Sequence, residues 1–266
     1  MKRAQSRKIK QTPENGLFAD ERRQKILSIL ESDNRVEVED LSRRLRVSMD
    51  TIRRDLRQLD ARQLLLRTHG GAIKRLAPSL PYEVRQELSS SAKDSIGKLA
   101  ATLVEEGDAI IIGSGTTTYA LARSLTVNRA TVITNSLDAA MVLATRSDIA
   151  LRLTGGRWNP RLHELTGHEA VEAISRYRVR KLFLGASGLS AKHGLTCSDP
   201  DESLLFQAMI ASSQEVVVLA DSSKLGEIGY AWVAPLKAIH YLVTDSRADI
   251  DEFQNSGIRI LQTKDE

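Results

Sequence analysis

The stretch Val47-Ser-Met-Asp-Thr-Ile-Arg-Arg-Asp-Leu-Arg-Gln-Leu59 constrains this chain more than any other. Ser48 is placed to cap a helix, its hydroxyl accepting from an amide one turn in. Asp50 and Thr51 fall in the first turn, where a carboxylate suits the positive end of the helix dipole. Ile52, Leu56 and Leu59 recur at i, i+4 and i+7 as one apolar stripe, and Arg53, Arg54 and Arg57 point away from it. A short helix, apolar on one side and basic on the other, has what a major-groove reader needs. Arginine pairs with guanine edges or phosphates, and the apolar side docks the helix on its own domain. A solvated amphipathic helix shares the pattern, so the flanks decide.

Upstream, a helix is expected over residues 20–32, with Ile26, Leu27, Ile29 and Leu30 on its apolar side. A turn at Asn34-Arg35 follows, and Val36 and Val38 lead into a second helix over 39–45 with Leu41 and Leu45 inward. Arg46-Val47 forms the tight turn before the basic helix. Two short helices across a tight turn, braced by a third, make a helix-turn-helix over about residues 36–55. Downstream, residues 64–66 suit a strand, Gly70-Gly71 a turn, and Ala72-Ile73 a returning strand. A hairpin directly after a recognition helix is a wing. Arg67, His69, Lys74 and Arg75 are then in reach of backbone phosphates, although a turn-stabilising role fits His69 equally well. The DNA-binding domain is thus read as residues 20–75. Residues 1–19, with five Lys/Arg, Pro13 and Gly16, read as a disordered basic arm. Residues 76–88, with Pro78 and Pro81 and no periodicity, read as a linker.

Charge agrees with this division. Residues 1–75 hold 19 Lys/Arg against 11 Asp/Glu, and the rest of the 266 residues hold 19 against 23. A basic front with an acidic back fits a polyanion-binding module joined to a domain that need not touch the polyanion. One cysteine, Cys197, excludes an internal disulfide framework. No apolar run reaches the ~18 residues of a membrane span, and no apolar segment follows the N-terminal basic residues, so a cytoplasmic protein is expected. His163-Glu-Leu-Thr-Gly-His168 superficially resembles the zinc-protease H-E-x-x-H. It has one residue too many for both histidines to share a helix face, so neither a metal nor another cofactor is expected.

From Ser90 short apolar strands alternate with helices. Helices are expected over 91–105, 119–125, 139–145 and 202–212. Strands are expected over 109–112, 131–134, 149–153, 181–184, 216–219 and 241–243, and a last one over 259–261. The pattern predicts an α/β domain over 89–266 with a mostly parallel sheet. In such sheets ligands bind outside the carboxyl ends of the strands. There Gly113-Ser-Gly-Thr-Thr-Thr118 joins a strand to a helix N-terminus. The amides, and the hydroxyls of Ser114, Thr116 and Thr117 around Gly115, can hold a phosphate. A plain strand-to-helix turn has the same composition, and the loop is neither a P-loop nor a full dinucleotide fingerprint. Thr134, Asn135 and Ser136 add amide and hydroxyl groups, and Gly155-Gly156 permits close packing or ligand approach. Asp221 and Lys224 add a carboxylate and a cation suited to a small polyol phosphate; a turn cap and a surface lysine are their ordinary readings.

Leu41-Ser-Arg-Arg-Leu-Arg-Val-Ser-Met-Asp-Thr-Ile-Arg-Arg-Asp-Leu56, followed by Arg67-Thr-His-Gly-Gly-Ala72, resembles the DeoR family of bacterial transcriptional regulators. The resemblance continues through Lys93-x-x-Ile-Gly-x-x-Ala100, Gly115-Thr-Thr117, Thr134-Asn-Ser136, Thr154-Gly-Gly156, Gly185-x-x-Gly188, Asp221-x-x-Lys224 and Thr244-Asp245, over about residues 20–250. Gln63, Arg180 and Phe206-Gln207 depart from the family's usual residues. The resemblance implies a sensor domain similar in fold to ribose-5-phosphate isomerase and glucosamine-6-phosphate deaminase. It further implies a phosphorylated sugar or polyol as effector, with Lys93 joining the site, double-stranded operator DNA bound through Ser48, Asp50, Thr51 and the arginines, and a homo-oligomer, dimer or tetramer. A repressor of sugar or polyol catabolic genes is the expected function. A sugar-phosphate isomerase or deaminase fused to a DNA-binding domain is the alternative, and it lacks a recognisable base paired with a second acid or histidine; no catalytic residue is assigned.

Overall fold

The computed structural model describes residues 19–33, 35–62, 64–68, 70–74 and 80–264. The expected arm at 1–18, Gln63, His69, Arg75 and Pro78 lie outside them. The chain divides into two compact units, with the boundary between Arg75 and Leu76.

The first unit runs α1 (Ala19–Asp33), β1 (Arg35–Glu37), α2 (Val38–Leu45), α3 (Met49–Ala61), β2 (Leu65–Arg67) and β3 (Gly71–Lys74). Ser48 caps α3 as its position requires: its side chain accepts from the Thr51 amide at 3.2 Å. Arg46, at φ 54° and ψ 44°, turns the chain between α2 and α3, and the Ser42 hydroxyl clamps the turn by donating to the Val47 carbonyl at 2.6 Å. Ile52, Leu56 and Leu59 are buried with Ile26 and Leu30 of α1 and Leu41 and Leu45 of α2. Each such side chain removed from water stabilises the unit by roughly 1.5–3 kcal/mol. The wing is a three-stranded sheet in the order β1-β3-β2, antiparallel throughout. Strand β1 was expected as a turn leading into a helix. Its three residues are too few for alternation to show, and pairing with β3 makes it a strand. That pairing explains Gly71 better than turn chemistry does: a Cβ there would stand 1.9 Å from the Val36 carbonyl oxygen.

The second unit begins with α4 (Tyr82–Glu87) and α5 (Ser90–Ala101), then β4 (Ala109–Ile112), α6 (Thr116–Ser124), β5 (Thr131–Thr134), α7 (Leu137–Leu143) and β6 (Ala150–Leu153). A hairpin of β7 (Arg157–Asn159) and β8 (Glu164–Thr166) follows, then α8 (His168–Ser175), β9 (Val179–Gly185), β10 (Gly188–Ser190) and β11 (Gly194–Cys197). The chain ends through α9 (Pro200–Ala211), β12 (Ser213–Leu219), β13 (Ala231–Ala234), β14 (Tyr241–Thr244) and β15 (Arg259–Gln262). The main sheet has seven strands in the order β15-β14-β12-β9-β4-β5-β6, all parallel. Alternate residues feed two cores. Ile110, Ile112 and Phe183 pack with Ile96, Leu121 and Leu143 on one face, and Ile111, Leu182 and Leu184 pack with Ile174, Leu205 and Met209 on the other. A three-stranded antiparallel sheet, β10-β11-β13, and the β7–β8 hairpin add to this frame. Neither they nor α8 was expected: these short strands lack the continuous apolar runs that marked β4 and β5, and α8 is only eight residues long.

Residues 80–88 correct the linker expected over 76–88. Leu80 and Tyr82 are buried, and α4 packs on α6. Pro81, at φ −54°, stands immediately before the first helical residue, where its fixed torsion favours helix entry and its missing amide costs nothing. Among the described residues no helix is long and apolar enough to cross a membrane.

Replacing Gly71 by Ala should destabilise the first unit by about 1–3 kcal/mol, because the methyl group meets backbone that cannot yield without moving β1. Thermal denaturation of the full chain measures this. A melting profile identical to the parent would show that β1 does not approach β3 so closely.

Candidate DNA-binding face and strand-end site

In the first unit α3 is held by its inner side. Asp55 is buried, and Arg22 of α1 clamps it with two parallel bonds, Nε to Oδ2 at 2.6 Å and Nη2 to Oδ1 at 3.2 Å. Two side-on bonds fix orientation as well as distance. The outer side carries Arg53, Arg54 and Arg57, all exposed. Arg53 pairs with Asp50 at 3.0 Å, and Arg57 Nε donates to the Arg53 carbonyl. The Thr51 and Ser48 hydroxyls lie 2.9 Å apart at the start of the helix. Arg67 is exposed at the end of β2. An exposed ion pair such as Asp50–Arg53 is worth no more than about 1 kcal/mol, so a DNA partner can displace it.

In the second unit the order of the sheet locates the site. From β4 the chain steps outward through β5 and β6, then returns to β9 on the other side of β4 and steps outward again through β12, β14 and β15. The direction of winding therefore reverses between β4 and β9. Loops from these two strands diverge to opposite faces, which opens a crevice at their carboxyl ends. The loop of residues 113–118 leaves β4 there. Gly115 adopts φ 136°, a region that disfavours side chains, and caps α6 by accepting from the Tyr119 amide at 3.0 Å. The first-turn amides of α6 have no partner within the helix. Thr116 and Thr117 stand beside them, nearly buried.

The other expected site residues are at the same edge, and many are engaged with each other. The Ser114 amide donates to Asn135 Oδ1 at 2.9 Å, and its hydroxyl donates to Glu164. The Asn135 side-chain amide faces Ser114 Oγ, Glu164 Oε2 and the Leu165 carbonyl, each at 3.3 Å. Thr134 Oγ1 accepts from the Ser136 amide, and Ser136 Oγ caps α7 by accepting from Ala139. These groups shape the strand ends by bonding one another. Gly156 has φ 109°, and a Cβ there would stand 2.6 Å from the Thr166 carbonyl oxygen. Gly156 thus serves close packing, whereas a Cβ on Gly155, at φ 69°, would meet nothing within 4 Å. Asp221 is buried and caps a short turn, accepting from the Ser223 amide at 3.1 Å. Burial by itself would raise its carboxyl; the Lys224 and Lys93 ammoniums and the Ser223 bonds outweigh it and hold the group below the usual carboxylate range. Lys93 is itself buried, its ammonium donating to the Arg85 carbonyl and, at 2.7 Å, to the Leu88 carbonyl.

Three residues that the sequence reading passed over join this edge. Glu164, set aside with the histidines around it, is fully buried on β8. Burial pushes its carboxyl well above the usual range; Glu202 and Asp199 add to the shift, and the Ser114 hydroxyl and Arg85 oppose it. Glu202, in the first turn of α9, is buried too and is likewise raised by burial, with Arg85 the chief opposing charge. It accepts from the Ser198 amide at 3.2 Å. Arg85, on the helix mistaken for linker, is lowered by burial against the pull of Glu202. The signal for Glu164 was a polar residue alternating inward along 164–166. For Arg85 it was Pro81 as a helix start. His163 stacks on Tyr82 at 4.3 Å and bridges Asp138 and Glu83.

The first unit is a winged helix-turn-helix with a basic outer face, and the second is a sheet with a polar crevice at its winding reversal; together they define a DNA-binding transcriptional regulator. The profile described as the DeoR-like helix-turn-helix domain matches residues 22–75, and that of the DeoR C terminal sensor domain matches residues 88–246. The chain belongs to the DeoR family. It is 35% identical to the HTH-type transcriptional repressor GlcR of Bacillus subtilis over 93% of this chain and 98% of that one. It is 32% identical to the HTH-type transcriptional regulator GlpR of Haloferax volcanii over 91% and 96%. It is 30% identical to the transcriptional repressor AccR of Agrobacterium fabrum over 85% and 89%. Among solved structures, ribose 5-phosphate isomerase A of Methanocaldococcus jannaschii aligns with 51% of this chain and 54% of its own, at 22% identity and a TM-score of 0.36.

The raised Glu164 carboxyl has a consequence for stability. The folded state binds this proton more tightly than the unfolded chain, whose glutamate titrates at its ordinary value. Stability should therefore fall as pH rises from that ordinary value through the raised one. Glu164→Gln removes the titration and should flatten this part of the profile. Equal pH slopes for parent and variant in urea unfolding of the full chain would contradict a buried neutral acid.

Proposed function

We propose that this chain is a repressor of sugar or polyol catabolic genes whose grip on operator DNA is modulated by a phosphorylated sugar or polyol held at the strand-end crevice. It acts in the cytoplasm, on the nucleoid when bound to DNA, as a homo-oligomer and without catalysis. The names of GlcR and AccR support repression. One observation carries the effector reading: the turn of residues 115–118 presents unpaired helix amides at the sheet's winding reversal, on the same edge as Lys93 and Lys224. Amides, a helix dipole and nearby ammoniums favour a phosphate.

Regulation on this reading is linkage. An effector that binds better to a conformation or assembly with the recognition helices wrongly spaced weakens DNA binding, and DNA weakens effector binding by the same factor. Two-fold symmetry pairs two copies of α3 with inverted half-sites.

Fluorescence anisotropy with operator DNA tests both halves. Arg53→Ala or Arg54→Ala should weaken operator binding by about 1–3 kcal/mol and relax the preference at one base pair. Operator binding unchanged in both variants would remove α3 from the groove. Thr116→Asp should repel the effector phosphate, so that the variant still binds operator but no longer responds to a sugar phosphate that releases the parent. A parent-like response would make the loop an ordinary strand-to-helix turn. Incubating the full chain with aldose and ketose phosphates should return them unchanged; conversion would favour the enzyme.

A further inference from the structure

The second unit holds a buried polar cluster that its own hydrogen bonds leave incomplete. Glu164, Glu202 and Arg85 converge from β8, α9 and α4: Arg85 and Glu164 each feel the charge of the other two, and Glu202 feels that of Arg85. Glu164 Oε2 is engaged by Ser114 and Asn135, while Oε1 is buried without a partner. Arg85 Nε and Nη2 are also buried without partners. A buried donor or acceptor left unpaired costs about 1–3 kcal/mol, more when charged, so three in one cluster indicate a group that completes it.

The orphaned atoms describe what that group is. Nε and Nη2 form the side-on fork of a guanidinium, the pair of donors that Arg22 uses in this same chain to clamp both oxygens of Asp55. The fork of Arg85 thus fits two adjacent oxygens. A carboxylate supplies two, but it would be a third acid beside Glu164 and Glu202. Two neutral oxygens on neighbouring carbons, a vicinal diol or an α-hydroxy carbonyl, satisfy the fork without that repulsion. Glu164 Oε1, which carries the proton of the neutral acid because Oε2 accepts from Ser114 and Asn135, can then donate to one of them. The cluster touches the proposed phosphate loop through one side chain, since the Ser114 hydroxyl sits on Glu164.

The geometry points to Arg85, Glu164 and Glu202 as a second half of the effector site, which grips the diol or hydroxy-carbonyl end of a sugar phosphate and sets which sugar is accepted. This rests on the effector reading above, with residues 115–118 holding the phosphate.

The test is calorimetric titration of the full chain with inorganic phosphate, glycerol 3-phosphate, ribose 5-phosphate, fructose 6-phosphate, glucose 6-phosphate and 6-phosphogluconate. The parent should bind at least one neutral-headed sugar phosphate more tightly than inorganic phosphate, and glucose 6-phosphate more tightly than 6-phosphogluconate. Arg85→Lys keeps the charge and loses the fork. It should weaken that sugar phosphate by about tenfold or more, the loss of one charged bidentate contact, and leave inorganic phosphate within about twofold. Should Arg85→Lys fail to fold, Glu164→Gln carries the same comparison, and Glu164→Ala should lose more than Glu164→Gln. Parent-like sugar phosphate affinity in both Arg85→Lys and Glu164→Gln overturns the inference alone. So does an equal loss of inorganic phosphate and sugar phosphate, which would make the cluster a support for the loop. Tighter binding of 6-phosphogluconate than of glucose 6-phosphate overturns the neutral-oxygen assignment. A parent that binds none of the six overturns the effector reading, and this inference with it.

Discussion

Everything chemical in the second unit follows from where the parallel sheet reverses its winding. Parallel strands send all their carboxyl ends to one edge, and only between β4 and β9 do consecutive loops part toward opposite faces. The backbone there is already under constraint: the Gly113 amide donates to the Phe183 carbonyl at 2.9 Å, which ties the first loop residue to the neighbouring strand. Gly115 then takes a torsion open mainly to glycine, and α6 starts with its unpaired amides at the crevice. Loop composition, helix start and polar strand ends are consequences of one topological fact.

The same edge carries an electrostatic tension. Two buried carboxyls share one buried guanidinium, and burial drives both acids toward their neutral forms. Removing one member of a buried charged set leaves the others uncompensated, typically at about 3–5 kcal/mol. A stable fold tolerates such a cluster when hydrogen bonds satisfy it, and here Ser114, Asn135 and Ser198 satisfy part of it. Arg85 lies on α4; Lys93 holds its carbonyl and that of Leu88 just past the helix end, and Lys93 also lends charge to Asp221. The cations at this edge therefore position backbone and balance acids at once.

The DNA-binding unit separates its tasks by helix face. Arg22 and the aliphatic stripe hold α3 from within, so Arg53, Arg54 and Arg57 need contribute nothing to folding. Among the described residues their partners are weak and local: Asp50 for Arg53 and the Arg53 carbonyl for Arg57. Side chains so lightly held exchange partners at little cost.

What sequence alone determined was local. The cap at Ser48, the 3.6-residue stripe of α3 and the short apolar strands 109–112, 131–134 and 181–184 are decided by neighbours within one turn or one strand. Their physics is therefore written in consecutive letters, and the DeoR motifs ride on these segments. Tertiary structure decided what depends on distant partners. Strand β1 exists because β3 pairs with it, and Gly71 is small because Val36 lies against it. Residues 82–87 form a helix because Tyr82 finds a buried place, although their composition reads as linker. Ser114 and Asn135 looked like ligand groups and bond chiefly to each other and to Glu164, which is fifty positions from Ser114. Burial and charge coupling are properties of three-dimensional proximity, so neither the perturbed Glu164 and Glu202 nor the unpaired fork of Arg85 could be read before the chain was folded.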